Sequence, residues 1–412
     1  MVKRSYDWKN RPPLEDHTQK KHKILKEYFK QYLITRCQHL HQESFKMAII
    51  DGFSGGGLYS HGEYGSPLIF LDTLRETTQE INISRSQKGF KLIKFNFLII
   101  FIDRERLAIN ELKTNLYEII EDIKINQTFI NIEILYNCAK FENSYSSIKN
   151  NIVARNHKNV FFNLDQCGYS QVTSKIIKDI IFSWSSAEVL LTFMIGGLLT
   201  YISDSDSSNR VPLEPETASL VKDIISNRGL IVRREWLGEV EKIVFNQLKD
   251  CANYVSPFSI NNPNGWRYWL MHFANNPRAR QVYNNLLHSH EDVQAHFGRP
   301  GLNMLSYDPG YSNGTLYLFD QDSRESSIDF LMDDIPRMIS RSGKEISVEK
   351  FYQVAYSATP AHSDDIDKAI IENSELEVIT GGGGVRRSSK SIKRKDIIKL
   401  KPQRSLIFLP KK

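Results

Sequence analysis

The chain has 412 residues, 41% of them hydrophobic and 25% charged, which suits one large globular domain plus a small one and excludes disorder over most of its length. Net charge is +6, from 54 basic and 48 acidic residues, too mild to define a partner by itself. The longest apolar stretch, Val189 to Leu199, has eleven residues, short of the about 20 that a membrane-spanning helix needs, and no apolar segment follows the basic N-terminus to act as a secretion signal. A cytoplasmic protein with no membrane partner is expected.

Residues 18 to 36, "TQKKHKILKEYFKQYLITR", place Ile24, Leu25, Tyr28, Phe29, Tyr32 and Leu33 at helical spacing, which predicts an amphipathic helix covering an edge or face of a sheet. Five apolar runs follow, at Met47 to Asp51, Phe95 to Asp103, Ile132 to Asn137, Val160 to Asp165 and Val189 to Ile195, each succeeded by a helical or polar stretch. Strands alternating with helices predict a parallel α/β sheet. Four runs end in or beside Asp or Asn, so polar groups gather at the carboxyl edge, where open α/β sheets bind ligands. Residues from about 203 to 265 read as an insertion. Sixth and seventh strands are expected at 266–274 and 314–320, with a helix between them opening at Pro277.

From about Ser323 the pattern changes to helices joined by a break at Thr359-Pro360, then "LEVIT", four glycines and a basic strand-like end. This describes a winged helix-turn-helix, so domains are expected at 1–322 and 323–412. From Gly381 onward there are eleven Lys or Arg against one acid, Asp396. Arg386, Arg387, Lys390, Lys393, Arg394 and Lys395, on the wing and its flanks, are the candidate nucleic-acid contacts, offering phosphate binding without sequence readout. The four cysteines lie far apart with no CxxC pair, so neither a metal site nor a disulfide framework is indicated.

The segment "IIDGFSGGG" turns sharply after the first strand. It lacks the Lys-Ser or Lys-Thr of a phosphate loop and the G-x-G-x-x-G of a dinucleotide fold, leaving D-x-F-x-G-x-G. Such a backbone suits close approach by a neutral amino-acid and nucleoside ligand. Asp103, ending the second strand, either accepts hydrogen bonds from ribose hydroxyls or pairs with Arg104 or Arg106 on the surface. It stands 52 residues after Asp51, so an insertion at 75–94 is expected.

The glycine segment resembles motif I of S-adenosylmethionine-dependent methyltransferases, in the F-x-G-x-G form of enzymes that methylate amino groups of nucleic acid bases. By that resemblance Phe53, Gly55 and Gly57 carry the loop and Asp51 lies near the methionine end; with Gly52 and Asp103 they make up the candidate cofactor-binding residues. In such enzymes the fourth strand carries a D-P-P-Y type motif; here "FFNLDQCGYS" offers Asn163, Asp165 and Tyr169 as the catalytic candidates, without the prolines. Cys167 beside them is either a nucleophile or a small buried residue.

Together, "KHKILKEYFKQYL", "IIDGFSGGGLYSHGEYGSPL", "NLDQCGYS", "WRYWLMHFANNPRAR" and the terminal module resemble the three-Cys-motif partner (TcmP) family over nearly the whole chain. The resemblance implies a methyltransferase-like Rossmann domain with a C-terminal winged helix-turn-helix, a bacterial or phage setting, and a companion protein that carries the cysteines. Lys21 and His22 fall in the family's N-terminal motif; His22 either acts at the site, if the first helix folds over the cofactor edge, or has a helix-surface or capping role, and the latter is the expectation. Ser66-Pro67 is expected to cap and open the next helix. The function expected is methylation of nucleic acid with S-adenosylmethionine, or non-catalytic DNA binding by a degenerate methyltransferase fold.

Overall fold

The computed structural model describes residues 7–204, 213–226, 233–260, 267–290, 293–295, 301–306, 317–318 and 321–402. The chain divides into two units, Met1–His296 and Phe297–Lys412. In the first, helix α1 (Asp16–Arg36) precedes β1 (Ser44–Asp51), α2 (Ser66–Gln87), β2 (Lys94–Asp103), α3 (Arg106–Asn126), β3 (Ile130–Cys138), α4 (Phe141–Ala154), β4 (Asn159–Leu164), α5 (Ser174–Ser183) and β5 (Ser186–Phe193). Then come α6 (Ile195–Asp204), α7 (Pro215–Ser226), α8 (Arg233–Lys249), β6 (Tyr254–Ile260), β7 (Tyr268–Ala274), α9 (Pro277–Leu287) and β8 (Val293–Ala295).

The strands of this unit stand in the order β3-β2-β1-β4-β5-β7-β6-β8. Pairings from β3 through β5 are parallel, and β7 runs antiparallel to both β5 and β6. Adjacent residues of a strand point to opposite faces. Phe161 of β4 meets Tyr28, Phe29 and Tyr32 of α1 and Phe70 of α2, while Phe162 meets Phe141 and Tyr145 of α4. Helices therefore cover both faces, as in a doubly wound fold. Each fully buried Phe of these clusters contributes about 1.5 to 3 kcal/mol. Helix α1 is also pinned by a buried polar group: the Tyr28 hydroxyl donates to Glu188 and lies 2.9 Å from His272 Nε2, and the imidazole lies 3.1 Å from Glu188.

Three expectations are corrected. Residues 75–94 are no insertion, because α2 runs on for 22 residues and takes up most of the extra length. The segment 203–265 is not wholly an insertion, because it contains a strand, β6, which pairs with β7. Ser66 is the first helical residue of α2 and Gly65 the cap. Of the strand expected at 314–320, only β9 (Tyr317–Leu318) lies within the described residues.

The second unit adds α10 (Gln321–Arg341), β10 (Glu345–Ser347), α11 (Val348–Ala355), α12 (Ser363–Glu372), β11 (Leu376–Ile379) and β12 (Ile397–Leu400). Its sheet is antiparallel in the order β10-β12-β11, and Leu331, Ile335, Phe351, Ile366, Ile370, Val378 and Ile398 form its core. The connection between β11 and β12 is the wing. This unit also takes in residues before 323: Leu302 N donates to Asp334 Oδ2 at 3.1 Å, Leu305 N to Ala358 O at 2.8 Å, and Thr359 Oγ to Gly301 O at 2.6 Å.

Candidate functional site

The strand order reverses between β1 and β4, so the crevice outside their carboxyl ends is the expected ligand position. Gly52 N donates to Asn163 O at 2.9 Å and joins the two loops there. Asp51, at the end of β1, is wholly buried. Its Oδ1 accepts from Phe53 N and Asn163 Nδ2, each at 3.4 Å, whereas Oδ2 accepts no hydrogen bond of ordinary geometry. Burial pushes this carboxyl up to about 7, against the opposing pull of the nearby Ser66 hydroxyl, the Phe53 N–H and the Asn163 amide.

The glycine turn owes its composition to several neighbours. Gly55 and Gly57 have φ of +59° and +84°, a region that L side chains rarely adopt. A Cβ on Gly55 would come within 2.4 Å of the Trp8 ring, one on Gly56 within 2.8 Å of the same ring, and one on Gly52 within 2.7 Å of Leu164. Trp8 belongs to a short 3₁₀ turn at Trp8–Asn10, and no local pattern around it signals that it seats here. Phe53, half-buried, packs 6.0 Å from the Phe141 ring.

Asp103 closes the crevice at the end of β2. Its Oδ2 accepts from Gly55 N at 3.1 Å and its Oδ1 from Glu105 N at 2.8 Å, so it orders the glycine turn through backbone bonds, while Arg104 bonds Glu105 instead. Burial raises this carboxyl, and the two backbone N–H groups oppose the rise. Each oxygen keeps a further lone pair for a ligand.

Beyond β4, Asp165 binds Lys21 of α1, with Nζ at 2.6 Å from Oδ1 and 2.8 Å from Oδ2. Burial acts to raise the Asp165 carboxyl, but the Lys21 ammonium and hydrogen bonds from Lys21 and Thr192 outweigh it and hold the group below its ordinary value. Lys21, His22, Ser66, Asn163, Asp165 and Thr192 line one small cavity. The expectation of a surface or capping role for His22 is corrected: it is 9% exposed and its Nδ1 has no hydrogen-bond partner. Burial, reinforced by the Lys21 charge, brings its imidazole down to about 4. The helix pattern held a signal for the burial of Lys21, which shares a stripe with Leu25, Tyr28 and Tyr32, where a polar residue is out of place on a purely structural face.

Tyr169 lies farther along the loop, half-exposed, with its ring 6.3 Å from Phe193. Cys167 is exposed. The structure thus brings Asp51, Asn163, Asp165, Lys21 and His22 together, with Asp103 and the glycine turn beside them.

In the second unit, Arg387, Lys390, Lys393, Arg394 and Lys395 are exposed on the wing. Arg386 is committed elsewhere: Nε and Nη2 donate to the buried Asp396 at 2.9 and 3.2 Å. On α12, Asp365 is held by Arg324 at 2.7 and 3.0 Å and Asp367 by the Tyr352 hydroxyl at 2.5 Å, leaving Asp364, Lys368 and Glu372 as its exposed stripe. Among the described residues no helix is long and apolar enough to cross a membrane.

Comparison with known proteins agrees with this second unit. Residues 307–382 match the family described as GMT-like wHTH domain. No curated protein matches the chain. A solved structure whose description names zinc-dependent alcohol dehydrogenases from Rhodobacter sphaeroides is 10% identical, covering 64% of this chain and 99% of that one, with a TM-score of 0.22, at which the likeness carries no argument. The chain is a mixed α/β protein with a mostly parallel central sheet and a C-terminal winged helix-turn-helix domain.

Proposed function

We propose that this protein binds S-adenosylmethionine in the first unit and nucleic acid through the second, and transfers a methyl group between them. The observation that carries the reading is the buried Asp51 carboxyl at the topological switch point, whose Oδ2 accepts no hydrogen bond of ordinary geometry, beside a positive-φ glycine turn and Asp103, in a chain that ends in a winged helix-turn-helix. When bound, the cofactor supplies an electrophilic methyl group. Asp51, oriented by the Asn163 amide, accepts from the ammonium of the cofactor's amino-acid end, and Asp103 accepts from its ribose hydroxyls. Phe53 and the Gly55–Gly57 backbone form the wall between them. Asp165, held ionised by Lys21, faces the target side, and Tyr169 is half-exposed where a base can stack.

The exposed wing cations contact phosphates. The short exposed stripe of α12 carries two acids and one lysine, which opposes major-groove reading by that helix and suits a protein partner, such as the three-Cys-motif companion implied by the resemblance. Calorimetric titration with S-adenosylmethionine is expected to show one saturable site, and radiolabelled methyl groups are expected to pass to DNA or RNA. No saturable binding removes the foundation of this reading.

A second reading, non-catalytic nucleic-acid binding, is favoured by one feature: both Asp165 oxygens are already bonded to Lys21. Methyl label in any polymer rejects it.

A further inference from the structure

The polar cavity at the head of α1 holds a group that the functional reading leaves without a task. Asp165 is the nearest acid to the target side, yet both of its oxygens hold the Lys21 ammonium, at 2.6 and 2.8 Å. It is poorly placed to collect a proton. His22, one residue along, is 9% exposed, lines the same cavity, and presents an Nδ1 with no partner. A buried imidazole nitrogen left unpaired costs about 1 to 3 kcal/mol, so it marks either a defect or an acceptor awaiting a donor.

We propose that His22 is a catalytic residue of this site, its Nδ1 accepting the proton that the target nitrogen releases on methylation. The inference rests on the methyl-transfer reading given above. The lone pair of the target N–H attacks the methyl carbon, the C–S bond breaks, and its electron pair returns to sulfur to leave a thioether. The nitrogen now carries a positive charge; its proton moves to Nδ1, the N–H electron pair stays on nitrogen, and the imidazolium later yields the proton to water. Atoms and charge balance with no further reactant.

The surroundings suit this task. The charged groups facing His22 are Lys21 on its own helix and Asp165 from the loop after β4, and its ring lies 5.9 Å from that of Tyr59. Burial and the Lys21 charge keep the imidazole neutral at physiological pH, with its lone pair available. A weak base is sufficient, because a nitrogen that has just gained a methyl group is a strong acid. Lys21 is a positioning residue: it fixes Asp165 and discourages early protonation of its neighbour.

Two measurements on the full-length protein test the assignment. Nitrogen-15 spectra of histidine-labelled protein are expected to show His22 neutral with Nδ1 unprotonated at pH 7; an Nδ1–H tautomer or an imidazolium at that pH overturns the proposal. Methyl transfer from radiolabelled S-adenosylmethionine to a pool of single-stranded DNA, duplex DNA and RNA oligonucleotides is expected to fall on the order of 100-fold or more in His22→Ala. Calorimetric binding of S-adenosylmethionine is expected to be unchanged, and added imidazole to restore turnover. His22→Asn, closer in shape, serves if the alanine variant fails to melt cooperatively. Parent-like turnover in either variant overturns the role of His22 alone. Loss of cofactor binding without imidazole rescue assigns it a structural role instead and also overturns it. A parent protein that labels no polymer overturns both this step and the functional reading.

Discussion

At the scale of single residues, Asp51 ties the site to stability. Its carboxyl is pushed from an ordinary 3.8 to about 7 by complete burial. Below about pH 4 both folded and unfolded forms are protonated, and the group costs nothing. As pH rises from there to about 7 the unfolded chain ionises while the folded one does not, so stability declines, and above 7 the loss levels off. At about 1.4 kcal/mol per unit the full effect is on the order of 4 kcal/mol. Asp51→Asn is therefore expected to stabilise the protein at pH 8 and to change little at pH 4, measured by urea unfolding at both values; equal effects at the two pH values would show that Asp51 is not raised. Gly55 makes a separate point. Its motif assigns it to a ligand, but its φ of +59° and the Trp8 ring, 2.4 Å from where a Cβ would stand, make it a residue of the fold as well. Gly55→Val is expected to lose about 2 to 4 kcal/mol from backbone strain and overpacking, with partial recovery in combination with Trp8→Ala.

At the scale of elements, α1 carries its chemistry on a face that also anchors it. Tyr28 holds the middle of the helix to β5 and β7, while Lys21 reaches Asp165 near its start. The depressed Asp165 carboxyl contributes stability that is present above its ordinary value and is lost as pH falls through its lower folded value. Lys21→Met removes that contribution and leaves a partly buried carboxylate without its cation, so a cost of about 2 to 4 kcal/mol is expected at pH 7 and much less at pH 3. In a double-mutant cycle with Asp165→Asn, the combined loss is expected to be smaller than the sum. On the wing, Arg387, Arg394 and Lys395 are exposed while Arg386 is bound to Asp396. Changing the first three to Ala is expected to lower the slope of log affinity against log salt by about 2 to 3, near 0.9 per lost phosphate contact, in anisotropy titrations. Arg386→Ala is expected to lower the melting temperature instead, because the buried Asp396 then loses its cation and keeps only the Lys393 N–H.

At the scale of the whole molecule, the proposed function places cofactor and polymer on different ones of the two units. Ligand bound only by the folded state stabilises it by about 2.7 kcal/mol at 100 times its dissociation constant. Saturating S-adenosylmethionine is accordingly expected to raise the melting transition of the parent and of the Arg387, Arg394, Lys395 variant equally in scanning fluorimetry. A shift in one and not the other would mean that the wing takes part in cofactor binding.

The sequence by itself determined the alternating β/α pattern, the glycine turn after β1, the polar ends of the strands and the winged module, because each rests on a local signal: a period, a turn residue or a charge run. It determined less where long-range packing had to choose. The strand β6 was read as part of an insertion; it joins the sheet through β7, whose other neighbour, β5, is distant in sequence. The same holds for the site. Asp51 and Asn163 were legible as strand-end polar residues, but the pairing of Lys21 with Asp165 spans 144 residues, and the burial of His22 depends on where α1 comes to rest on the sheet. Trp8 on the glycine turn and Arg386 on Asp396 were likewise decided only by tertiary contact. A side chain's type is written in the sequence, but its partner, and hence its charge state and task, is set by which distant surface the folded chain brings against it.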